Sequence, residues 1–215
     1  MTRSAMQILI TAGPTREYLD DVRFLSNASS GKMGYALAQA ALEAGHKVVL
    51  VSGPTALAPP AGSEFHAVET TGEMYDKCVG HFPECDGVIG AAAVCDYRPR
   101  ERISGKIGKT GKPLQLELVE TPDILAELGR RKQAAKQWVV GFALESRTPR
   151  ENALRKLKAK GCDAIILNHP SAIGSDESRI ELIDKGGQTV ANCIDSKIGI
   201  ARAIITWIDA HLARS

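Results

Sequence analysis

The segment from Ser26 to Gly34, SNASSGKMG, places small residues, one amide and one lysine between an apolar strand and an apolar helix. A loop in this position often binds anions in α/β proteins, because the N–H groups and the dipole of the helix face the ligand. Small residues also let an anion approach the backbone. The segment is therefore a candidate phosphate-binding loop. Ser29, Ser30 and Gly31 are equally compatible with an ordinary helix cap, and Asn27 with a turn.

The loop does not match the common nucleotide-binding motifs. A Walker A loop would need glycine at Ser26 and serine or threonine at Met33, and the chain contains no G-x-G-x-x-G sequence. The second predicted strand ends in VSGP, without the acidic residue that would hold the ribose of NAD. A nicotinamide cofactor is therefore not expected.

Alternating strands and helices position this loop. The β-branched run from Gln7 to Thr11 predicts the first strand, a helix begins at Gly31 and stops at Gly45, and KVVLVSGP predicts the second strand. Such a βαβ unit implies parallel pairing and a right-handed crossover.

The alternation continues to the end of the chain. Further helices are predicted at Gly72 to Val79, Pro122 to Lys132, Pro149 to Lys160 and Ser196 to Leu212, and further strands at Asp86 to Ala93, WVVGFAL from Trp138, and DAIILN. The segments RIELID and QTVANC, joined by KGG, predict a C-terminal hairpin. The predicted fold class is α/β, with a Rossmann-like, doubly wound, mainly parallel sheet and helices on both faces.

One segment interrupts this rhythm. Residues Tyr97 to Gly111 are polar and rich in Arg, Lys and Gly, and in the following PLQLELVE the residues Leu114, Leu116 and Leu118 alternate with polar ones. This pattern predicts a β extension, or flap, that projects from the sheet and has one solvent-exposed face. It would serve as a lid, as a dimer arm, or as both.

Composition limits the function classes. With 215 residues, 44% of them hydrophobic and 24% charged, the chain is expected to form one domain covering residues 1–215. A formal charge of +2 gives no reason to expect a nucleic-acid partner and favours small-molecule partners. Five cysteines without a C-x-x-C pair indicate a reducing, cytoplasmic location. No apolar run resembles a signal peptide or a membrane span.

Five segments, in order along the chain, resemble phosphopantothenoylcysteine synthetase. They are ITAGPTREYLDDVRFLSNASSGKMG (10–34), AAAVCDYR (91–98), TPDIL (121–125), GFALE (141–145) and DAIILN (163–168). The resemblance implies a ligase that joins 4′-phosphopantothenate to L-cysteine in coenzyme A biosynthesis. The reaction would pass through an acyl-cytidylate formed from CTP, as in most bacteria, or an acyl-adenylate, as in eukaryotes.

The resemblance assigns lysines to the nucleotide. Lys106 matches the lysine that contacts the triphosphate and assists activation of the carboxylate; by itself it reads as a solvated loop residue. The family often has K-x-K-K here, whereas this chain has Gly108 at the third position. Lys156 and Lys160, four residues apart on one face of a basic helix, match two further nucleotide-contacting lysines.

Other positions follow from the same matches. The resemblance implies a nucleotide contact at Phe142, which by itself would be interpreted as a core residue. It also implies contacts at the start of the helix that begins with the segment PDIL. It also implies a catalytic role for Asn27 in the reaction of the acyl intermediate with cysteine, and it leaves the rest of the loop for the phosphate of the substrate. The full sets are Gly90, Asp96, Lys106, Pro122, Asp123, Ile124, Leu125, Phe142, Lys156 and Lys160 for the nucleotide and Asn27, Ser29, Ser30, Gly31 and Lys32 for the substrate.

Further expectations concern metal and partners. Mg²⁺ is expected with the nucleotide, although no protein ligand is assigned. Asp96 would accept hydrogen bonds from a ligand or lie near the metal; alone, it reads as a turn residue. Family members are dimers, so a homodimer is expected. In bacteria the synthetase is commonly fused to phosphopantothenoylcysteine decarboxylase, and the chain is compatible with a free-standing ligase or with half of such a fusion.

Two other readings predict different chemistry. An NADP-dependent, Rossmann-like oxidoreductase would require a Tyr-x-x-x-Lys pair, but Gln39 follows Tyr35 at that spacing and Val79 follows Tyr75. A non-catalytic nucleotide-binding scaffold would bind CTP without releasing pyrophosphate.

Overall fold

The apolar runs of the sequence form the centre of an eight-stranded sheet. The structure, a computed structural model, describes residues 4–144, 148–168 and 177–213, so Glu145 of the GFALE segment lies outside the described residues. The strands are β1 (Gln7–Ala12), β2 (Arg16–Tyr18), β3 (Phe24–Ser26), β4 (Lys47–Ser52), β5 (Glu64–Ala67), β6 (Gly87–Gly90), β7 (Tyr97–Pro99), β8 (Leu118–Glu120), β9 (Trp138–Leu144), β10 (Ala164–Asn168), β11 (Glu177–Asp184) and β12 (Thr189–Ser196).

The helices are α1 (Lys32–Glu43), α2 (Thr71–His81), α3 (Ile124–Arg131), α4 (Pro149–Ala159) and α5 (Lys197–His211), and a 3₁₀ turn covers Phe82–Glu84. None of the helices in the described part of the chain has the length and apolar character needed to span a membrane.

The strand order confirms the doubly wound prediction. The order is β12-β11-β10-β9-β6-β1-β4-β5, in which β11 and β12 form the predicted hairpin as an antiparallel edge and the other six strands are parallel. The chain runs outward from β1 through β4 to β5, and then returns to the other side of β1 with β6. Such a reversal opens a crevice at the carboxyl ends of the two central strands.

Helices cover both faces of this sheet. One apolar core joins the first face to α1 and α5, through residues such as Ile10, Leu37 and Ile204. The other core joins the second face to α2, α3 and α4, through residues such as Leu9 and Leu128. Because the central strands are buried on both faces, their sequences are continuously apolar, which is why they were predictable.

Element boundaries differ from the predictions where a side chain caps a helix. Helix α3 begins at Ile124 rather than at Pro122, because the side chain of Asp123 accepts a hydrogen bond from the N–H of Ala126. Ser196 is likewise the cap of α5 and not its first residue. The strand predicted up to Ala93 ends at Gly90, and beyond it only an isolated bridge joins Ala93 to Pro14.

The predicted flap is present and is defined here as residues 97–120. Its two ends pair as the antiparallel strands β7 and β8. The side chains of Leu114, Leu116 and Leu118 are exposed. The loop between β7 and β8 lies against the turn of a small antiparallel ribbon formed by β2 and β3. The sequence did not predict this ribbon, because β2 and β3 have only three residues each.

Asp20 anchors the flap to that turn. Its carboxylate is buried and accepts hydrogen bonds from the N–H groups of Val22 (2.8 Å) and Arg23 (2.7 Å) in the turn and of Ile107 (3.0 Å) in the flap. Burial alone would raise the pKa of Asp20, but these three bonds and the charge of Arg23 outweigh it, so the pKa lies well below its usual range. The anchor is therefore present at neutral pH and is lost only as the pH falls through this lowered pKa.

Replacing Asp20 with asparagine is expected to release the flap. Oδ2 of Asp20 now accepts two hydrogen bonds, one from the N–H of Ile107 and one from the guanidinium of Arg23. If the amide nitrogen of asparagine took this place, it would turn a donor toward these two donors. Trypsin should then cleave at the flap lysines and arginines about tenfold faster. Limited proteolysis with mass analysis of the fragments measures the cleavage rate. Asp76→Asn, at an exposed position of α2, is the matched control. Equal cleavage in both variants would show that Asp20 does not hold the flap.

Candidate active site

A cavity of about 790 Å³ lies at the carboxyl ends of the central strands. Its walls come from the loop before α1, the loop after β6, the start of α3, the end of β9 and one face of α4. The predicted site residues that line it are Asn27, Ser29, Ser30, Gly31, Lys32, Gly90, Asp96, Pro122, Asp123, Ile124, Leu125, Phe142, Lys156 and Lys160. Residues spread over most of the sequence therefore share one crevice.

The first turn of α1 faces this cavity. Gly31 occupies the cap position with φ 77°, and within the described residues no side chain caps this end of the helix. The hydroxyl of Ser29 instead accepts a hydrogen bond from the N–H of Gly31 (3.3 Å). Serine is thus not the helix cap that the sequence alone allowed. The positive end of the helix dipole is left facing the cavity, as an anion site requires.

Gly31 is needed for both its conformation and its lack of a side chain. A Cβ atom there would lie 2.6 Å from Cγ2 of Thr55, whereas Gly45, which also has a positive φ, has open space around it. Gly45→Ala should lower the free energy of unfolding by about 1 kcal/mol through backbone strain alone. Gly31→Ala should lower it by about 1–2 kcal/mol more, through the added clash.

Urea denaturation of the two variants measures this difference. Adding Thr55→Ser to Gly31→Ala removes the clashing methyl group and should recover part of the loss. Equal losses at the two glycines would show that the loop has room for a side chain.

Asn27 is held against the end of the central sheet. Its side-chain N–H groups donate to the carbonyl oxygens of Ala93 (3.2 Å) and Val94 (2.8 Å). Both donors are therefore engaged, and the side-chain oxygen is the atom that can meet a ligand, as an acceptor. Donation from this amide to the acyl oxygen of an intermediate would require one of the two bonds to break.

Lys156 and Lys160 supply positive charge on the α4 side of the cavity. Both are partly buried at the end of α4, where Lys160 is the cap residue. The ammonium of Lys160 lies 3.1 Å from Oδ2 of Asp123, while Oδ1 of the same carboxylate caps α3. Asp123 thus fixes both the start of α3 and the position of Lys160, which a sequence match cannot show.

An apolar wall faces these charges. Phe142, in β9, is partly buried and lines the cavity. Gly90 lies at the end of β6, where a Cβ atom would lie 2.8 Å from Leu125 Cδ1, so glycine lets Leu125 lie close over the strand. This wall offers a flat apolar surface of the kind on which a base or a sugar packs.

The acidic side of the cavity begins at Asp96, which is exposed. Its backbone oxygen accepts from the N–H of Thr121 (2.9 Å), so the two ends of the flap meet beside the cavity. The neighbouring Cys95 is buried, and desolvation raises the pKa of its thiol. Burial and the raised pKa indicate that Cys95 is a packing residue and not a nucleophile.

Lys106 is the one predicted site residue that does not line the cavity. It is exposed on the flap loop, between two residues that are bound to the β2–β3 turn. Gly105 exchanges hydrogen bonds with Asp21 (2.7 and 3.1 Å), and Ile107 donates to Asp20. Within one chain, Lys106 and the other predicted residues are therefore not brought together.

The predicted set did not include every polar residue of the cavity wall, and Asn168 and Lys197 are two of those that it missed. Asn168 ends β10, and its side-chain oxygen is buried without a hydrogen-bond partner among the described residues. Its position at the carboxyl end of a parallel strand is a signal that the sequence did contain. Lys197, the first residue of α5, reaches the cavity from far along the chain, and no local pattern indicates it.

The fold and the cavity define a doubly wound α/β protein with a ligand-sized crevice at its topological switch point. The family described as "DNA/pantothenate metabolism flavoprotein C-terminal domain" matches residues 4–212. The chain belongs to this family.

Individual relatives agree with this assignment. The chain is 40% identical over 208 residues to the coenzyme A biosynthesis bifunctional protein CoaBC of Bacillus subtilis (strain 168), and 43% identical over 207 residues to the protein of the same name from Vibrio vulnificus (strain CMCP6). Each match covers 94% of this chain and 51% of the relative, so the chain spans about half the length of these curated relatives. A crystal structure of the C-terminal domain of CoaBC is similar at 38% identity and a TM-score of 0.83, covering 98% of this chain and 97% of the other.

Proposed function

We propose that this chain is a phosphopantothenate–cysteine ligase that uses CTP and forms an acyl-cytidylate. The observation that carries the proposal is the single cavity in which an open helix terminus, an amide, two lysines and an aromatic wall meet. Relatives that are about 40% identical to this chain are named for coenzyme A biosynthesis, which supports this function.

Two half-reactions fit this cavity. The carboxylate of phosphopantothenate attacks the α-phosphorus of CTP, and pyrophosphate leaves. The amine of cysteine then attacks the acyl carbon, and CMP leaves with the bonding electron pair as the amine loses a proton. Lys156 and Lys160 would neutralise the triphosphate, Phe142 would pack against the nucleoside, and the α1 terminus would hold the substrate phosphate.

Mg²⁺ is part of this proposal because the donor set suits it. The carboxylates of Asp96 and Glu120 line the cavity and are oxygen ligands of the kind that Mg²⁺ prefers. In the described part of the chain, no three acidic or histidine side chains converge there, so phosphate oxygens would complete the coordination. The ion would reduce the negative charge of the triphosphate.

We propose a homodimer, because Lys106 does not line the cavity of its own chain. The flap carries exposed leucines at positions 114, 116 and 118 and an exposed Tyr97, which a second copy could cover. Covering them would also place the flap loop of one subunit near the cavity of the other.

Pyrophosphate release tests the proposed function. The chain is mixed with 4′-phosphopantothenate and CTP, ATP, GTP or UTP before any cysteine is added, and released pyrophosphate is measured. Release with CTP that depends on phosphopantothenate is expected, followed by product when cysteine is supplied. Binding of CTP without release of pyrophosphate would instead support a non-catalytic nucleotide-binding scaffold. Release with ATP alone would show that the nucleotide is ATP and not CTP.

A further inference from the structure

A second group of chemically active side chains lies far from the cavity, at the edge of the sheet. Glu64 and His66 are two residues apart on β5, so their side chains share one face, and His81 is the last residue of α2. The Nε2 atom of His66 lies 2.9 Å from Oε1 of Glu64, and the Nδ1 atom of His81 lies 3.7 Å from the same oxygen. The two imidazole rings are in contact, with centroids 4.4 Å apart and their planes tilted by 39°.

The spacing of these atoms suits one metal ion. Ligands about 2.0–2.2 Å from a tetrahedral Zn²⁺ are about 3.3–3.5 Å from each other. The two nitrogen–oxygen distances lie on either side of this value, and all three ligand atoms are within 4.8 Å of one another. Small side-chain rotations would therefore bring them to one ion.

A simple ion pair explains this arrangement less well. Glu64 and His66 alone would form such a pair, but the second imidazole directs its nitrogen at the same oxygen. A divalent cation would instead accept a lone pair from each imidazole nitrogen. The histidine side chains are only 22% and 27% exposed, so packing already restricts their orientation.

We propose that Glu64, His66 and His81 form a binding site for Zn²⁺ or a similar divalent transition metal, with water completing the coordination. The bound ion would link the C-terminal end of α2 to β5, one of the two edge strands of the sheet. Glu64 begins β5, whereas the cavity lies at the carboxyl ends of the strands. The site is thus independent of the proposed ligase reaction.

The nearby Cys85 does not belong to the ligand set. Its sulfur donates to the backbone oxygen of His81 (3.3 Å), and only Glu64, His66 and His81 have their ligand atoms grouped within 4.8 Å of one another in the described part of the chain. The site therefore supplies two nitrogens and one carboxylate.

Calorimetric titration of the metal-free, untagged chain with ZnCl₂ tests the site. Binding of one equivalent is expected, and Zn²⁺ at a hundredfold excess over its Kd should raise Tm by about 5–10 °C. His66→Gln and His81→Gln should each weaken binding about tenfold or more. His211→Gln, which changes an exposed histidine at the end of α5, is the matched control and should bind like the unchanged chain.

A spectroscopic measurement distinguishes metal binding at the proposed site from adventitious binding elsewhere on the chain. Co²⁺ in this site should give visible bands of nitrogen and oxygen coordination, and these should be absent in the double variant His66→Gln/His81→Gln. A sulfur charge-transfer band would place the metal on cysteine and overturn the proposal. Failure of the unchanged chain to bind Zn²⁺, or equal binding by the double variant, would overturn it as well.

Discussion

Lys106→Gln is expected to lower the rate of pyrophosphate release by about 10²–10³-fold, because it removes a cation proposed to stabilise charge on the triphosphate as the carboxylate attacks. The fold should be unaffected, since the side chain is exposed. A single-turnover assay with CTP and phosphopantothenate measures this step directly. Lys112→Gln, which removes the same charge from the same exposed flap, is the matched control.

The outcome for Lys106 is informative because the residue lies outside the cavity of its own chain. If Lys106→Gln and Lys112→Gln release pyrophosphate at the unchanged rate, the role implied by the family resemblance is wrong for this chain. If only Lys106→Gln is impaired, the flap must bring the lysine to the nucleotide, either by moving or by reaching a second subunit.

Mixed dimers distinguish these two routes. A dimer that pairs an Asn27→Asp subunit with a Lys106→Gln subunit has one site with both native residues only if Lys106 acts across the interface. Ligation should then return in the mixture although each variant alone is inactive. If the lysine acts within its own chain, both sites carry one altered residue and the mixture stays inactive.

Asn27→Asp is expected to block the second half-reaction and to leave pyrophosphate release close to the unchanged rate. Aspartate lacks the two donors that bind the carbonyl oxygens of Ala93 and Val94, and it adds a negative charge that would oppose the charge growing on the acyl oxygen during amine attack. Ligation should fall by about 10²–10³-fold. Mass spectrometry should show the acyl-nucleotidylate accumulating when cysteine is present.

The matched control for Asn27 is Gln133→Glu, the same amide-to-acid change at an exposed residue after α3. It should ligate normally and have the same stability as the unchanged chain. Normal product formation by Asn27→Asp would contradict the proposed role of this amide. Loss of both half-reactions would show instead that the loop, and not the amide, had been damaged.

Much of the fold could be predicted because its signals are local. The buried central strands are continuous apolar runs, and strand β9 was predicted with its observed bounds. The edge strand β5 was not predicted, because its residues are largely exposed and its four-residue sequence, EFHA, is too short for its alternation of polar and apolar residues to be distinctive. Helix ends were misplaced by one or two residues where a polar side chain acts as a cap, as at Asp123 and Ser196.

The sequence by itself determined the family, the alternation of strands and helices, and a set of residues that meet in one cavity, because each of these depends on short segments and their order. Tertiary structure decided the rest. It engaged both donors of Asn27, paired Lys160 with Asp123, held Lys106 on the flap, and brought His81 to Glu64 and His66. The physical reason is that such contacts depend on how distant segments pack and cross over, and no periodicity within one segment records that geometry.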